Sequence, residues 1–340
     1  MPIVEPQPPR TEQAVLLLAH GTPETVEQIP QYLRNVVGGR PLPQSVVEEI
    51  EHRYSLIGRS PLTEITLEQG RLVEAELAAG GAPVPVYVAM RNWRPYIPDV
   101  VRRMRADGIQ EAAVLCMAPH NSRLSVGLYR RAVEAEAAGL RIDFTEAWAE
   151  HPLLIEAFAE RLRPAFAKLS AEAGCAVPVL FTAHSVPSRT IQSSAAGVVP
   201  SPSPDSQPVP QPVEGADPYA EEARRTAALV AARVPGIPRW FFAFQSQGMS
   251  GGPWIGPTVE ETLDTLAAEG LRTLLLQPIG FLCDHVEILY DVDILFRGYA
   301  AQRGIRLERP ASLNASPTLA RAVADLARQR LARLRELRAH

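Results

Sequence analysis

Lysine and cysteine are scarce in this chain of 340 residues. Lys168 is the single lysine among 34 basic residues, so any anion-binding group is expected to be an arginine guanidinium. Cys116, Cys175 and Cys283 lie far apart, without the CxxC or Cys–His spacing that is typical of zinc and iron–sulfur sites. We interpret the three cysteines as small buried residues of a protein in a reducing compartment.

Charge and hydropathy exclude two further classes. The net charge of −4 offers no basic footprint for a nucleic-acid partner. No run of about 18 apolar residues could cross a bilayer, and the N-terminus lacks the basic and apolar regions of a signal peptide. We therefore expect a soluble, cytoplasmic protein without an integral membrane segment.

Apolar runs alternate with helical patterns along the chain. Six runs are typical of strands buried on both faces: 14–19, 84–90, 112–117, 177–183, 240–244 and 273–278. Eight segments have helical periodicity: 45–54, 62–79, 97–107, 126–138, 153–171, 218–233, 259–270 and 316–337. This alternation predicts an α/β protein with doubly wound parallel sheets.

An internal repeat indicates two related halves. Ala-His-Gly-Thr-Pro at 19–23 corresponds to Ala-His-Ser-Val-Pro at 183–187, and Asp-Gly-Ile at 107–109 corresponds to Glu-Gly-Leu at 269–271. A third pair, His-Pro-Leu at 151–153 and Ser-Pro-Thr at 316–318, opens two predicted helices. The members of the three pairs lie 164, 162 and 165 positions apart. We infer two Rossmann-like halves with a cleft between them, in which strand ends of both halves face one site.

The repeat also predicts the domain boundaries. The N-terminal half covers 1–150, the C-terminal half covers 151–315, and a C-terminal helix covers 316–340. Two segments interrupt the symmetry. The segment 24–68, rich in Gly, Pro and Arg, is expected to form a lip over the cleft. The Pro/Ser-rich insertion 192–215 has too few large apolar residues to bury a core.

Acidic residues are concentrated in the segment 280–291, directly after a predicted strand. Asp284, Glu287 and Asp291 fall at i, i+3 and i+7, which is one face of a helix. Carboxylates on one face repel each other, so their presence at a strand end points to the handling of cations or protons. The alternative is an acidic first helical turn that the helix dipole stabilises.

Histidines stand at the ends of three predicted strands. His184 follows the strand 177–183, where an imidazole could act as acid or base near neutral pH, although a structural histidine is the alternative. His20 has the equivalent place in the first half, and His120 follows the strand 112–117. We prefer transient metal handling and proton transfer over a permanent metal site, because no two of these ligands have a fixed short spacing.

Two other catalytic patterns are not supported. Ser185 follows His184, but it lacks the flanking glycines of the G-x-S-x-G nucleophile elbow of hydrolases. Gly21 ends a predicted strand, but neither G-x-G-x-x-G nor a P-loop pattern is present there. The sequence therefore favours neither a serine hydrolase nor a dinucleotide-binding or NTP-binding protein.

Several motifs together resemble one known family. They run in order from about residue 14 to 335: HGTP at 20–23, SPL at 60–62, APH at 118–120, AHSVP at 183–187, DPY at 217–219, QSQG at 245–248, PWIGP at 253–257, the segment 280–291, and RP and LN within 309–314. In these motifs the chain resembles the ferrochelatases, closest to the soluble bacterial type that includes the coproporphyrin ferrochelatases. The resemblance also implies a chelatase-like pairing of the two halves.

The resemblance implies a lyase-type chelatase of haem biosynthesis that inserts Fe²⁺ into a porphyrin and releases two protons. His184 and Glu287 would be the catalytic pair and would contact the metal. Asp291 and Asp284 would line a path for protons or Fe²⁺. The porphyrin would contact six further residues, several of them on the lip: His20, Arg53, Tyr54, Ser60, Arg91 and Tyr129. Fe²⁺ would be a substrate, with no tightly bound cofactor and no iron–sulfur cluster.

The chain departs from the family pattern at several positions. His20 stands where many soluble relatives have a tyrosine, and Asn92 stands where many have a second histidine. Leu295 ends the acidic stripe one turn early, and the insertion 192–215 has no counterpart in compact members. Because the membrane lip of other relatives is absent, we favour coproporphyrin III as substrate and keep protoporphyrin IX as the alternative.

Two other functions are weighed against this one. A sirohydrochlorin-type cobalt or iron chelatase would share the fold, but QSQG and PWIGP favour the porphyrin type. A non-catalytic haem carrier or sensor would use His20 as an axial ligand, but the presence of both His184 and Glu287 argues against it. We expect a monomer that makes transient contacts with other enzymes of the haem pathway.

Overall fold

The computed structural model describes residues 11–81, 83–123, 125–188, 217–247 and 253–339. The predicted insertion 192–215 lies outside the described residues.

Two four-stranded parallel sheets form the framework, and both have the same strand order. The first sheet has the order β2-β1-β3-β4, with β1 at Gln13–Ala19, β2 at Val86–Met90, β3 at Glu111–Cys116 and β4 at Arg141–Thr145. The second sheet has the order β6-β5-β7-β8, with β5 at Val179–His184, β6 at Trp240–Gln245, β7 at Thr273–Pro278 and β8 at Arg306–Glu308. The repeated order confirms the predicted architecture of two related α/β halves.

Helices connect the strands. Before β5 they are α1 (Ile29–Val36), α2 (Gln44–Ile57), α3 (Leu62–Ala79), α4 (Ile97–Ala106), α5 (Val126–Glu134) and α6 (Pro152–Ala173). After β5 they are α7 (Tyr219–Ala232), α8 (Val259–Ala268), a π-helix (Glu287–Phe296), α9 (Arg297–Gln302) and α10 (Pro317–Ala339). None of the described helices combines the length and apolar character that crossing a bilayer requires.

The two strands missing from the prediction are β4 and β8, which lie at one edge of each sheet. Only Thr145 of β4 and only Leu307 of β8 are buried. Their sequences therefore lack the continuous apolar run by which the six other strands were predicted.

The two halves share one hydrophobic core. Alternate side chains of each strand point to opposite faces of its sheet. Val15 and Leu17 of β1 thus pack in the same cluster as Val179 and Phe181 of β5, while Leu16 faces a separate cluster beneath the first sheet. Helix α10 belongs to the shared cluster and packs against α3 and α6. This shared core holds the ends of both sheets in one relative position.

Candidate active site

The main cavity, of about 320 Å³, is lined by segments that follow β1, β2, β3, β5 and β7. Parallel strands bring their carboxyl ends to one edge, so residues distant in sequence meet there. Five of the residues predicted for the site line this cavity: His20, Arg91, Tyr129, His184 and Glu287. Two others, Arg53 and Asp291, line a second cavity of similar volume. The remaining three, Tyr54, Ser60 and Asp284, are absent from the lining of both cavities.

His184 and Glu287 face each other across the join between β5 and the segment after β7. His184 Nε2 lies 3.5 Å from Glu287 Oε1, and each side chain is about 30% exposed. A Cβ on Gly280 would lie 2.9 Å from Cα and Cβ of Ala183, so only glycine allows the two segments this approach. The glycine thereby brings the segment that carries Glu287 against the end of β5.

A second imidazole holds the other oxygen of the same carboxylate. His285 Nε2 lies 3.5 Å from Glu287 Oε2. The Nδ1 atoms of His184 and His285 point at the backbone carbonyls of Ser185 and Cys283. Because a carbonyl only accepts, each Nδ1 must carry the donated hydrogen, which leaves both Nε2 atoms to face Glu287. The sequence indicated His285 only as a support, although its spacing from Glu287 was the available signal.

The pKa values of His184 and Glu287 are shifted in opposite directions. Burial lowers the pKa of His184, but Glu287, together with the Ser185 carbonyl and Asp291, outweighs this effect and raises the pKa above its usual value. Burial raises the pKa of Glu287, but His184 and then His285 outweigh it and hold the pKa well below its usual value. Glu287 therefore stabilises the imidazolium that forms when His184 takes up a proton.

Asp291 lies one turn further along the π-helix, with its carboxylate in the second cavity. Its side chain is 4% exposed, accepts a hydrogen bond from Ser246 Oγ and lies 3.3 Å from Arg53 Nη1. Burial and then the charge of Glu287 raise its pKa to about 6. Gln245 Nε2 also donates to the backbone carbonyl of Glu287 over 3.2 Å. Two carboxylates with pKa values moved in opposite directions thus occur on successive turns.

The predicted acidic helical face is wrong for Asp284. This residue precedes the helix, which begins at Glu287 and is a π-helix rather than an α-helix. Its carboxylate accepts hydrogen bonds from Ser312 Oγ (2.6 Å) and Asn314 Nδ2 (2.7 Å), and lies 3.2 Å from Arg309 Nη2. Asp284 therefore anchors the segment between β8 and α10. π-Helical turns are rare and frequently occur at functional sites.

The first half contributes a neutral imidazole to the main cavity. His20 Nε2 lies 2.9 Å from the Tyr32 hydroxyl, and Asn92 Nδ2 lies 3.2 Å from His20 Nδ1. Burial and then the charge of Arg91 lower the pKa of His20 to about 3. The imidazole is therefore uncharged at neutral pH. Tyr32 of α1 also lines the cavity. The sequence analysis did not single it out, because α1 was not predicted.

His120 lines the same cavity, but its imidazole is hydrogen-bonded to a neighbouring helix. Its Nε2 lies 2.9 Å from Thr226 Oγ1 on α7, and its side chain is buried. Burial lowers its pKa to about 3. Two of the predicted contact residues are likewise packed in the interior, since Tyr54 is 1% exposed and Ser60 is 7% exposed. The structure thus does not bring Tyr54 or Ser60 to the wall of either cavity.

Comparison with known proteins gives one family over nearly the whole chain. The model of the family Ferrochelatase matches residues 12–331. The chain is 59% identical over 322 residues to a ferrochelatase of Acidobacterium capsulatum, covering 94% of this chain and 95% of that protein. It is 35% identical over 321 residues to a coproporphyrin III ferrochelatase of Mycolicibacterium vanbaalenii, covering 92% and 88% of the two chains.

Among solved structures, the fold is similar to that of a sirohydrochlorin chelatase from Bacillus subtilis subspecies spizizenii in complex with cobalt. The TM-score is 0.54 at 11% sequence identity, with 94% of this chain and 95% of that chain covered. At this identity the likeness concerns the fold alone.

Proposed function

Because the chain belongs to the ferrochelatase family, we propose that the facing pair His184 and Glu287 takes up the pyrrole protons as Fe²⁺ enters the porphyrin. The protein is a metal chelatase of the lyase class that acts in haem biosynthesis. The observation that carries the proposal is a carboxylate held between two imidazoles in the wall of the main cavity, with His184 and His285 each 3.5 Å from Glu287.

The reaction exchanges two pyrrole N–H protons for one Fe²⁺, so a base must accept protons inside the cavity. His184 accepts at Nε2, because its Nδ1 hydrogen is donated to the carbonyl of Ser185. Glu287 stabilises the resulting imidazolium. The pair then passes this proton towards Asp291, whose pKa of about 6 suits uptake and release near neutral pH, and His184 accepts the second proton.

The same groups can hold the metal for a short time. Carboxylate oxygens and one imidazole nitrogen are moderate ligands for Fe²⁺, so a cation bound at His184 and Glu287 can still be transferred to the porphyrin nitrogens. We propose that Fe²⁺ and departing protons use the second cavity, where Asp291 is buried beside Arg53 and Ser246. Asp284 has no part in this route, since its oxygens are bonded to Ser312 and Asn314.

Coproporphyrin III is the substrate that the charge distribution favours. Arg53 and Arg91 line the two cavities, and guanidinium groups bind carboxylates well. Coproporphyrin III carries four carboxylates and protoporphyrin IX carries two. The occurrence of coproporphyrin III ferrochelatases among relatives supports the same choice.

The test is anaerobic incubation with Fe²⁺ or Zn²⁺ and each porphyrin, followed by absorbance. Loss of the free-porphyrin bands is expected with the unchanged chain, and a loss of rate of at least about 100-fold is expected in His184→Ala. His151→Gln is the matched control, because His151 bonds to Asp325 and lines neither cavity. Equal rates in His184→Ala and the control would overturn the base assignment. Metalation of sirohydrochlorin alone would instead indicate the other chelatase type.

The remaining properties follow as expectations for the purified protein. We propose a cytoplasmic monomer without a tightly bound cofactor, which meets other enzymes of the haem pathway only transiently and does not bind nucleic acid. Sedimentation at micromolar concentration should give a single species of 37.1 kDa. An absorbance spectrum of the protein as purified should show no band of an iron–sulfur cluster.

A further inference from the structure

Arg91 is a partly buried cation in the wall of the main cavity. It follows β2, and its Nη1 atom is buried with no hydrogen-bond partner. Among the residues that the structure describes, no carboxylate forms an ion pair with this guanidinium. An arginine cannot lose its charge by deprotonation, so the unpaired group costs folding free energy. Such a cost is expected where a ligand supplies the missing anion.

The surroundings of Arg91 suit one carboxylate on a flat, apolar ligand. Its guanidinium lies over the ring of Tyr129, with 5.1 Å from Cζ to the ring centroid, which orients its edge. Ser122 and Ser125 line the same cavity and offer hydroxyl groups. Much of the remaining wall is apolar and includes Met117.

Among the described residues that line this cavity, Arg91 is the one arginine and no lysine is present. His20 also lines it, but burial and the charge of Arg91 lower the pKa of His20 to about 3, so its imidazole is neutral at neutral pH. The anion-binding capacity of the wall next to β2 therefore rests on Arg91. Arg53 lies elsewhere, because it lines the second cavity and is already paired with Glu49 and Asp291.

We propose that Arg91 is a specificity-determining residue that binds a carboxylate of the porphyrin inside the main cavity. The inference rests on the proposed function and deepens it. Coproporphyrin III carries a carboxylate on each of its four pyrrole rings, so one can face Arg91 in any orientation of the macrocycle. Protoporphyrin IX carries carboxylates on two adjacent rings only, so it can also bind with an apolar edge against Arg91. The site thereby prefers the tetracarboxylate.

Equilibrium binding of metal-free porphyrins tests this directly. Fluorescence titration should give a dissociation constant for coproporphyrin III that is about 10- to 100-fold weaker in Arg91→Gln, with less than about threefold change for protoporphyrin IX. Equal weakening for both porphyrins would overturn the proposal. No metal is inserted in this assay. The dissociation constants therefore test the role of Arg91 even if the chain failed to catalyse metal insertion.

Two further variants separate ligand binding from folding. Arg91→Lys retains the charge and should keep most of the preference for coproporphyrin III. Arg224→Gln is the matched control, since Arg224 lies over Phe242 and Phe244, has a buried unpaired Nε and does not line the cavity. The ratio of the two dissociation constants should be unchanged in Arg224→Gln. A change in that ratio as large as the one in Arg91→Gln would overturn the assignment.

Thermal unfolding gives an independent readout. Removal of an unpaired buried charge should not lower the Tm of the free protein, so Arg91→Gln is expected to unfold at or above the temperature of the unchanged chain. Coproporphyrin III should raise the Tm of the unchanged chain and raise that of Arg91→Gln much less. A lower Tm in Arg91→Gln with an undiminished rise on adding ligand would show a structural role and overturn the proposal.

Discussion

His184 Nε2 and Glu287 Oε1 lie 3.5 Å apart, although 103 positions separate the two residues. The contact joins the end of β5 to the start of the π-helix, and Gly280 allows the two segments to meet. Each group moves the pKa of the other, so the two titrate as one unit. The chemistry of the site depends on this coupling.

Replacing Glu287 by Gln should therefore affect both groups. Without the carboxylate, burial dominates and the pKa of His184 should fall below its usual value. We expect kcat to fall by at least about 100-fold. The fall in the pKa should be visible in the NMR titration of His184. An unchanged titration in Glu287→Gln would contradict the coupling even if activity were lost.

His285→Ala should shift the pH profile rather than abolish activity. His285 helps to hold the pKa of Glu287 low, and the carboxylate is present only above that pKa. Loss of this imidazole should raise the pKa of Glu287, so the acid limb of the profile of kcat should move to higher pH. We expect a rate loss of about tenfold at neutral pH. A uniform loss at every pH would instead indicate a structural role.

Asp291→Asn should raise the KM for Fe²⁺ more than the KM for porphyrin. The carboxylate lies in the second cavity, away from the lining of the main one. We expect the KM for Fe²⁺ to rise about tenfold with little change in the KM for porphyrin. Asp293→Asn is the control on the same helix, because Asp293 is paired with Arg309. Equal effects of the two substitutions would argue against the proposed route.

Asp284→Ala should lower stability. The carboxylate binds Ser312, Asn314 and Arg309, and its loss leaves Arg309 with one of its two carboxylate partners, Asp293. We expect a loss of about 2–3 kcal/mol in the free energy of unfolding. Urea unfolding measures this value. A large fall in kcat with unchanged stability would return Asp284 to the metal path.

His120→Gln should reduce the dependence of the free energy of unfolding on pH in acid. The pKa of His120 is about 3 in the folded chain because of burial, whereas an unfolded histidine has its usual value of 6.5. The stabilisation is thus complete above pH 6.5 and is lost as the pH falls towards 3. Each such histidine contributes a slope of about 1.4 kcal/mol per pH unit.

Urea unfolding between pH 4.5 and 6.5 checks the slope of His120→Gln against its control. His52→Gln serves as that control, because the imidazole of His52 is exposed. The slope should fall in His120→Gln alone. The same slope in both variants would mean that another group causes the acid sensitivity.

Much of the fold could be predicted because buried strands have mostly apolar sequences. The six predicted strands contain continuous apolar runs, and the repeat of Ala-His at 19–20 and 183–184 marks the same position in both halves. The strands β4 and β8 could not be predicted in this way, since their sequences mix polar and apolar residues. The π-helix was predicted as an ordinary helix because the apolar pattern does not distinguish the two at this length.

The sequence by itself determined the family, the order of the strands along the chain and the identity of His184 and Glu287 as the candidate pair. Only the tertiary structure decided which partners the acidic and basic groups contact. In the folded chain Asp284 is bonded to Ser312 and Asn314, Asp291 lines the second cavity, and Arg91 Nη1 has no hydrogen-bond partner among the described residues. The physical reason is that pairing and pKa depend on contacts between distant segments, which spacing along the chain does not specify.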